Sequence, residues 1–281
     1  MLTMNPDTIM EILYYFDIES IANLCTTNKD YHSLISNIPF VMQLNKLKNK
    51  NINEIIDVAA HYNYLDLIKW VSNSSYKFKF TSNAIDFAAK NNNLSILQWF
   101  DNSNYKFKYT SRAINSASSN GHIDILNWFK NSNHAFKYSL YAINFAAEYN
   151  HIHILEWFKN SSYPFIYTCD AIDLAAENGH INVLEWFKQS PFKFKYTYSA
   201  IDLAAGNGHI CVLDWFKNSG YNFLYSIYAI NSAAAHGHID VLNWFKDSPY
   251  DFIYTNAAIK LARQNHHQHI IDWFSNEENN I

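Results

Sequence analysis

Ala171-Ile-Asp-Leu-Ala-Ala-Glu-Asn-Gly-His-Ile-Asn-Val-Leu-Glu-Trp-Phe-Lys188 is answered 29 residues later by Ala200-Ile-Asp-Leu-Ala-Ala-Gly-Asn-Gly-His-Ile-Cys-Val-Leu-Asp-Trp-Phe-Lys217. Similar units begin near Ile55, Ala84, Ala113, Ala142, Ala229 and Ala258, and all eight tryptophans, Trp70 to Trp273, keep the same 29-residue spacing. A fixed period of this size marks one supersecondary unit that stacks on its copies, because it cannot bury its apolar face alone. The array occupies residues 49–281; residues 1–48 carry no Trp and none of the pattern.

Within one unit, Ile172, Ala175 and Ala176 stand at i, i+3 and i+4, one face of a short helix whose small Ala pair permits close approach. Asn178-Gly179 ends that helix, since Gly enters the left-handed region without steric cost. A second helix runs from Ile181 to about Lys188 and leaves only Asn182, Glu185 and Lys188 polar. That pattern predicts a helix buried nearly all round between neighbouring repeats, with its Trp in the core. The link Ser190-Pro-Phe-Lys-Phe-Lys-Tyr-Thr alternates with period two, as do residues 105–109 and 163–167, and reads as an extended connector with one aromatic face. The expected fold is an all-α helix-turn-helix solenoid of about eight repeats, preceded by a small helical bundle.

Composition narrows the function. The chain is 49% hydrophobic, 17% aromatic and 16% charged, which speaks against disorder, and its formal charge of −4 gives no field that would announce nucleic acid or an anionic membrane. Cys25, Cys169 and Cys211 are widely spaced, which fits a reducing, intracellular setting better than a disulfide framework. No apolar run approaches membrane-spanning length and the N-terminus lacks the features of a secretory signal. No Gly-rich phosphate loop, Gly-x-Ser-x-Gly elbow or His-Glu-x-x-His occurs, so the reading is of a binding protein without cofactor or enzymatic activity.

At this point the repeats resemble the ankyrin family: Ala-Ile-Asp-Leu-Ala-Ala-Glu-Asn-Gly-His-Ile-Asn-Val-Leu stands where ankyrins place Thr-Pro-Leu-His-x-Ala-Ala and the following Gly-His helix pair. The period is 29 where ankyrins have 33, and the Thr-Pro pair is missing. The shortfall lies in the connector, so the resemblance implies trimmed fingers and recognition through the first helices.

The N-terminal segment places Ile9, Ile12, Leu13 and Phe16 at helical spacing, with Pro6 where a first turn tolerates it. It resembles an F-box, matching at Pro6, Glu11, Ile12, Leu13, Tyr15, Phe16, Asp17, Ile21, Leu24, Asn28, Lys29, Tyr31, Leu34 and Ile35. Asn5 and Thr27 stand where the pattern has Leu and Val, and no Trp follows Pro39. The resemblance implies docking on the Skp-type linker of a cullin-RING ubiquitin ligase through Pro6, Ile9, Ile12, Leu13, Phe16, Ile21, Leu24, Tyr31 and Leu34. The alternative is a helical cap sealing the first repeat of a plain binding scaffold. An F-box ahead of ankyrin-like repeats in an Asn-rich chain resembles proteins of giant DNA viruses of amoebae, which implies action on an unknown host target inside the infected cell.

Four sets of residues invite chemistry. His122, His151, His180, His209, His238 and His267 recur too far apart to share a metal, and are read as backbone-bonding residues at the turn between helices. His266-His-Gln-His269 is a local cluster without a complete ligand set, read as a polar end. Lys residues alternating with aromatics in the connectors suit nucleic acid on the surface, but residues 221–225 and 250–254 keep the aromatics and lose the Lys, so the Lys are read as a solvated face. First-helix positions that vary between repeats are those packing leaves free to recognise a target: Asp86 and Lys90, Asn115 and Ser119, Asn144 and Glu148, Asp173 and Glu177, Asp202, Asn231 and His236, and Lys260 and Arg263. The middle of that row is acidic, which points to a basic patch on a partner protein.

Overall fold

The computed structural model describes residues 55–73 and 78–278. The F-box-like segment, with Pro6 to Leu34, lies outside the described residues. Sixteen α-helices and no strands occur among the described residues, so the chain is a helical-repeat protein of the solenoid class. First and second helices alternate: α1 Ile55–His61, α2 Leu65–Asn73, α3 Asn83–Lys90, α4 Leu94–Asp101, α5 Ser111–Ser119, α6 Ile123–Asn131, α7 Tyr141–Glu148 and α8 Ile152–Lys159. The series continues with α9 Asp170–Glu177, α10 Ile181–Gln189, α11 Ser199–Gly206, α12 Ile210–Ser219, α13 Ile227–His236, α14 Ile239–Asp247, α15 Asn256–Gln264 and α16 Gln268–Glu278. Two compact units result, residues 55–117 with 122–138, and residues 118–121 with 139–278.

In the second unit the first helices α7, α9, α11, α13 and α15 pack each on the next, far more closely than the second helices α8 to α16 do. The sequence explains why. Ala171, Ile172, Ala175 and Ala176 are fully buried, as are their counterparts in the neighbouring repeats, and Ala on facing surfaces lets helix axes approach. Between α11 and α13 the approach leaves no room for a side chain at Gly206, where a Cβ would stand 2.9 Å from the Ser232 Cβ. Second helices α8, α10, α12 and α14 each seal the layer with three buried residues, for example Val183, Leu184 and Phe187 in α10. Burying one such side chain stabilises by roughly 1.5–3 kcal/mol.

Two expectations are corrected here. The second helices are not buried all round: it is the first helices that form the inner layer, because five of their positions face neighbours and only three do in α10. Nor, apart from the buried Trp70, are the tryptophans the core. Phe100, Phe129, Phe158, Phe187, Phe216, Phe245 and Phe274 are the fully buried aromatics, while Trp186, Trp215 and Trp244 are half-exposed. Trp precedes Phe by one residue, and successive residues of a helix point about 100° apart, so only one can face inward.

The turn between helices has a strict requirement. Gly179 has φ +74°, and a Cβ there would meet the His209 ring of the next repeat at 2.9 Å, so both backbone conformation and packing call for glycine. Asn63, Asn92 and Asn150 take the same place with φ near +60°, as Asn does more readily than other non-Gly residues.

Candidate interaction surface

Much of what varies on the first helices proves to be packing. Asp86, Asn144, Asp173, Asp202 and Asn231 are only 1–6% exposed. Each reaches the start of the next first helix. Asp173 accepts the Thr197 N–H at 2.9 Å and its hydroxyl at 2.7 Å, and Asp86 holds Thr110 in the same way. Where Asn stands, the hydroxyl reverses role: Asn144 Oδ1 accepts the Thr168 N–H at 3.1 Å while its Nδ2 donates to Thr168 Oγ1 at 2.7 Å. Asn231 and Thr255 repeat that arrangement. The Thr oxygen also accepts the N–H two residues on, as Ser199 N to Thr197 Oγ1 at 3.1 Å, capping its own helix. The expectation that packing leaves these five residues free is therefore corrected; Asn115 is half-buried. Burial drives the Asp173 and Asp202 carboxyls above the usual carboxylate range, against the opposing hydrogen bonds from Thr197 and Ser226.

Three of the recurring histidines also face the preceding repeat. His122 Nε2 donates to the carbonyl of Lys90 at 3.0 Å, the last residue of α3, and Asn93 one repeat earlier donates to the Ala60 carbonyl at 2.8 Å. The Glu148 carbonyl lies beside His180 and the Gly206 carbonyl beside His238. His122 thus satisfies an open carbonyl at the end of the preceding first helix. Burial pushes His122, His180 and His238 below the ordinary imidazole value, so the neutral ring is favoured. No group of His, Cys, Asp and Glu suited to a metal occurs among the described residues, His266 to His269 included.

Connector aromatics point inward and stack in register with the Trp ladder. Phe165 stacks on Phe192 at 3.8 Å and on Trp186 at 5.8 Å; Phe194 with Tyr221, and Phe223 with Tyr250, do the same. Connector lysines are partly engaged: Lys195 Nζ lies 4.3 Å above the Tyr167 ring and 3.4 Å from its carbonyl oxygen.

Outward on and beside the second unit's first helices, among charged residues, stand aromatic and apolar side chains. Tyr198 and Tyr228 are 58% and 63% exposed, Tyr141 and Tyr149 are exposed, and Leu203, Ile227 and Leu261 join them. Phe145 is half-buried with its ring stacked on Tyr141 at 5.2 Å. Glu148 and Glu177 are half-buried and Asp170 exposed on the same helices, while Lys90, His236, Lys260 and Arg263 are exposed, with His236 Nδ1 bonded to the Gly206 carbonyl at 3.0 Å. The sequence signal for these tyrosines is an aromatic one or two residues before the recurring Ala-Ile pair in three repeats, Tyr141, Tyr198 and Tyr228, which the repeat period does not carry because the other repeats have other residues there.

No protein-family model and no curated protein matches the chain. Among solved structures it is similar to the pentatricopeptide repeat protein PPR10 in complex with an 18-nt psaJ RNA element, at 8% identity and a TM-score of 0.39, over 97% of this chain and 42% of that one. A cysteine-to-serine variant of that protein, bound to the same RNA element, matches with the same figures. The chain spans about two-fifths of the length of those proteins. No helix among the described residues is long and apolar enough to cross a membrane.

Proposed function

We propose that the chain is a non-enzymatic adaptor whose second unit binds a partner protein along its first helices, and whose N-terminal segment engages a Skp-type linker of a cullin-RING ligase. One observation carries the binding reading: on helices whose other faces are committed to packing, tyrosines stand outward where water would favour polar residues. Exposed aromatic side chains, rigid and amphipathic, are the usual anchors of protein interfaces. Glu148, Asp170 and Glu177 flank them, which favours a partner carrying Lys or Arg beside its apolar residues and disfavours a phosphate backbone. The ligase link rests on the F-box resemblance of Pro6 to Ile35, and with it the presentation of a host protein for modification.

Affinity purification of the full chain separates the parts. Replacing Tyr141, Tyr198 and Tyr228 by Ala abolishes recovery of the target while leaving the linker, and removing residues 1–48 does the reverse. A target retained by the triple variant refutes the surface. A linker that is never retained reduces the protein to a binding scaffold, and steep salt-dependent RNA binding abolished by the same three changes would replace the protein partner with nucleic acid.

A further inference from the structure

Along the second unit four successive indoles are each met by an acceptor from the repeat before. Trp186 Nε1 donates to Glu156 Oε2 at 3.0 Å, Trp215 to Glu185 Oε2 at 3.1 Å, Trp244 to Asp214 Oδ1 at 2.8 Å and Trp273 to Asn243 Oδ1 at 2.7 Å. The acceptor stands 30 residues ahead of the indole, and three of the four are carboxylates.

In the first unit the rule breaks. For Trp99 the residue 30 places earlier is Lys69, which has donors and no acceptor. Among the described residues neither the Trp99 indole N–H nor the Lys69 ammonium has a hydrogen-bond or ion-pair partner. Between them opens a cleft of about 560 Å³, lined by Lys69, Asn73, Trp99, Asn104 and Tyr105 among others. Its aromatic wall is built, not loose: Tyr105 stacks on Phe78 at 4.2 Å, and Phe78 lies 5.8 Å from Trp99. Lys69 and Trp99 thus line one cleft at the two positions where the second unit pairs a carboxylate with an indole.

We propose that this cleft is a carboxylate-binding site that takes the Asp or Glu side chain of a partner protein's acidic segment. The acceptor comes from outside because the position that supplies it in other repeats has become cationic, and the cleft is far larger than one carboxylate needs, leaving room for the backbone that carries it. The carboxylate bridges Trp99 Nε1 and Lys69 Nζ, two charge-assisted bonds of the kind that recognise acids. This surface is separate from the tyrosine face of the second unit and stands or falls without it.

The test follows the indole N–H signals of the full chain by NMR, with the Trp99 signal assigned from Trp99→Phe, while a blocked Gly-Glu-Gly-Glu-Gly peptide is titrated in. The Trp99 signal is expected to move and saturate, and a Gln-for-Glu peptide to leave it unmoved. K69E supplies the missing acceptor in place: it shifts the Trp99 signal without peptide and weakens peptide binding at least tenfold, while K69Q weakens binding without that shift. A Trp99 signal indifferent to the Glu peptide, including the case in which the chain's own residues 1–54 fill the cleft, overturns the proposal. So does an equal response to the Gln peptide, or K69E binding as tightly as the unaltered chain.

Discussion

Asp173→Asn and Asp173→Ala, taken as a pair, test what couples one repeat to the next. Ala removes both acceptors of Thr197, the bonds of 2.9 and 2.7 Å, and leaves a half-buried N–H without its partner. An orphaned buried group costs about 1–3 kcal/mol and the vacated volume adds to it, so a loss of about 2–3 kcal/mol is expected. Asn should cost almost nothing, because Asn144 and Asn231 already hold Thr168 and Thr255 in the same geometry. The sign with pH makes the pair decisive. Burial raises the folded-state pKa of Asp173, so the stability it contributes is present in full below the unfolded value near 3.9 and is lost as pH rises through the folded value. Asp173→Asn is free of that loss and should equal or exceed the unaltered chain at pH 7, with the difference shrinking below pH 4. Urea unfolding at both pH values, with amide exchange of Thr197 as the local probe, measures it. If Asn costs as much as Ala at pH 7, or if Ala costs nothing, the coupling argument is wrong.

Four further outcomes follow from the same geometry. Gly179→Ala should lose about 2 kcal/mol or more in thermal unfolding, through left-handed strain and the clash with His209, and Gly179→Asn should lose less because Asn150 tolerates that conformation. His180→Asn should remove part of the stability loss on going from pH 7 to pH 5: the folded pKa of His180 is depressed, so its contribution disappears as pH falls, whereas the amide at Asn93 makes the equivalent bond without titrating. Phe187→Ala should cost about 3–5 kcal/mol in chemical unfolding and Trp186→Phe about 1 kcal/mol, which would confirm the order of burial; a reversed order would restore Trp to the core. Tyr228→Ala should change stability by less than about 0.5 kcal/mol while abolishing target capture, since its ring is mostly in water.

Much of the local architecture was legible in the residues. The 29-residue period, Ile172 with Ala175 and Ala176, and Asn178-Gly179 were enough to place a helix pair and its turn, because helix periodicity and the left-handed preference of Gly act within a few residues. The role of Asp173 was not legible, since its partner Thr197 lies 24 positions on and only stacking brings the two within reach. Taken alone, its variation with Asn looked like freedom; the fold shows two residues that satisfy one site with the hydroxyl turned either way. The same holds for Trp and Phe. Sequence made both apolar and adjacent, and only the direction of the inner layer decided that Phe187 is buried and Trp186 is left at the surface to need Glu156. Local rules determined the unit, and the long-range geometry of one unit on the next decided which of its side chains were left over for a partner.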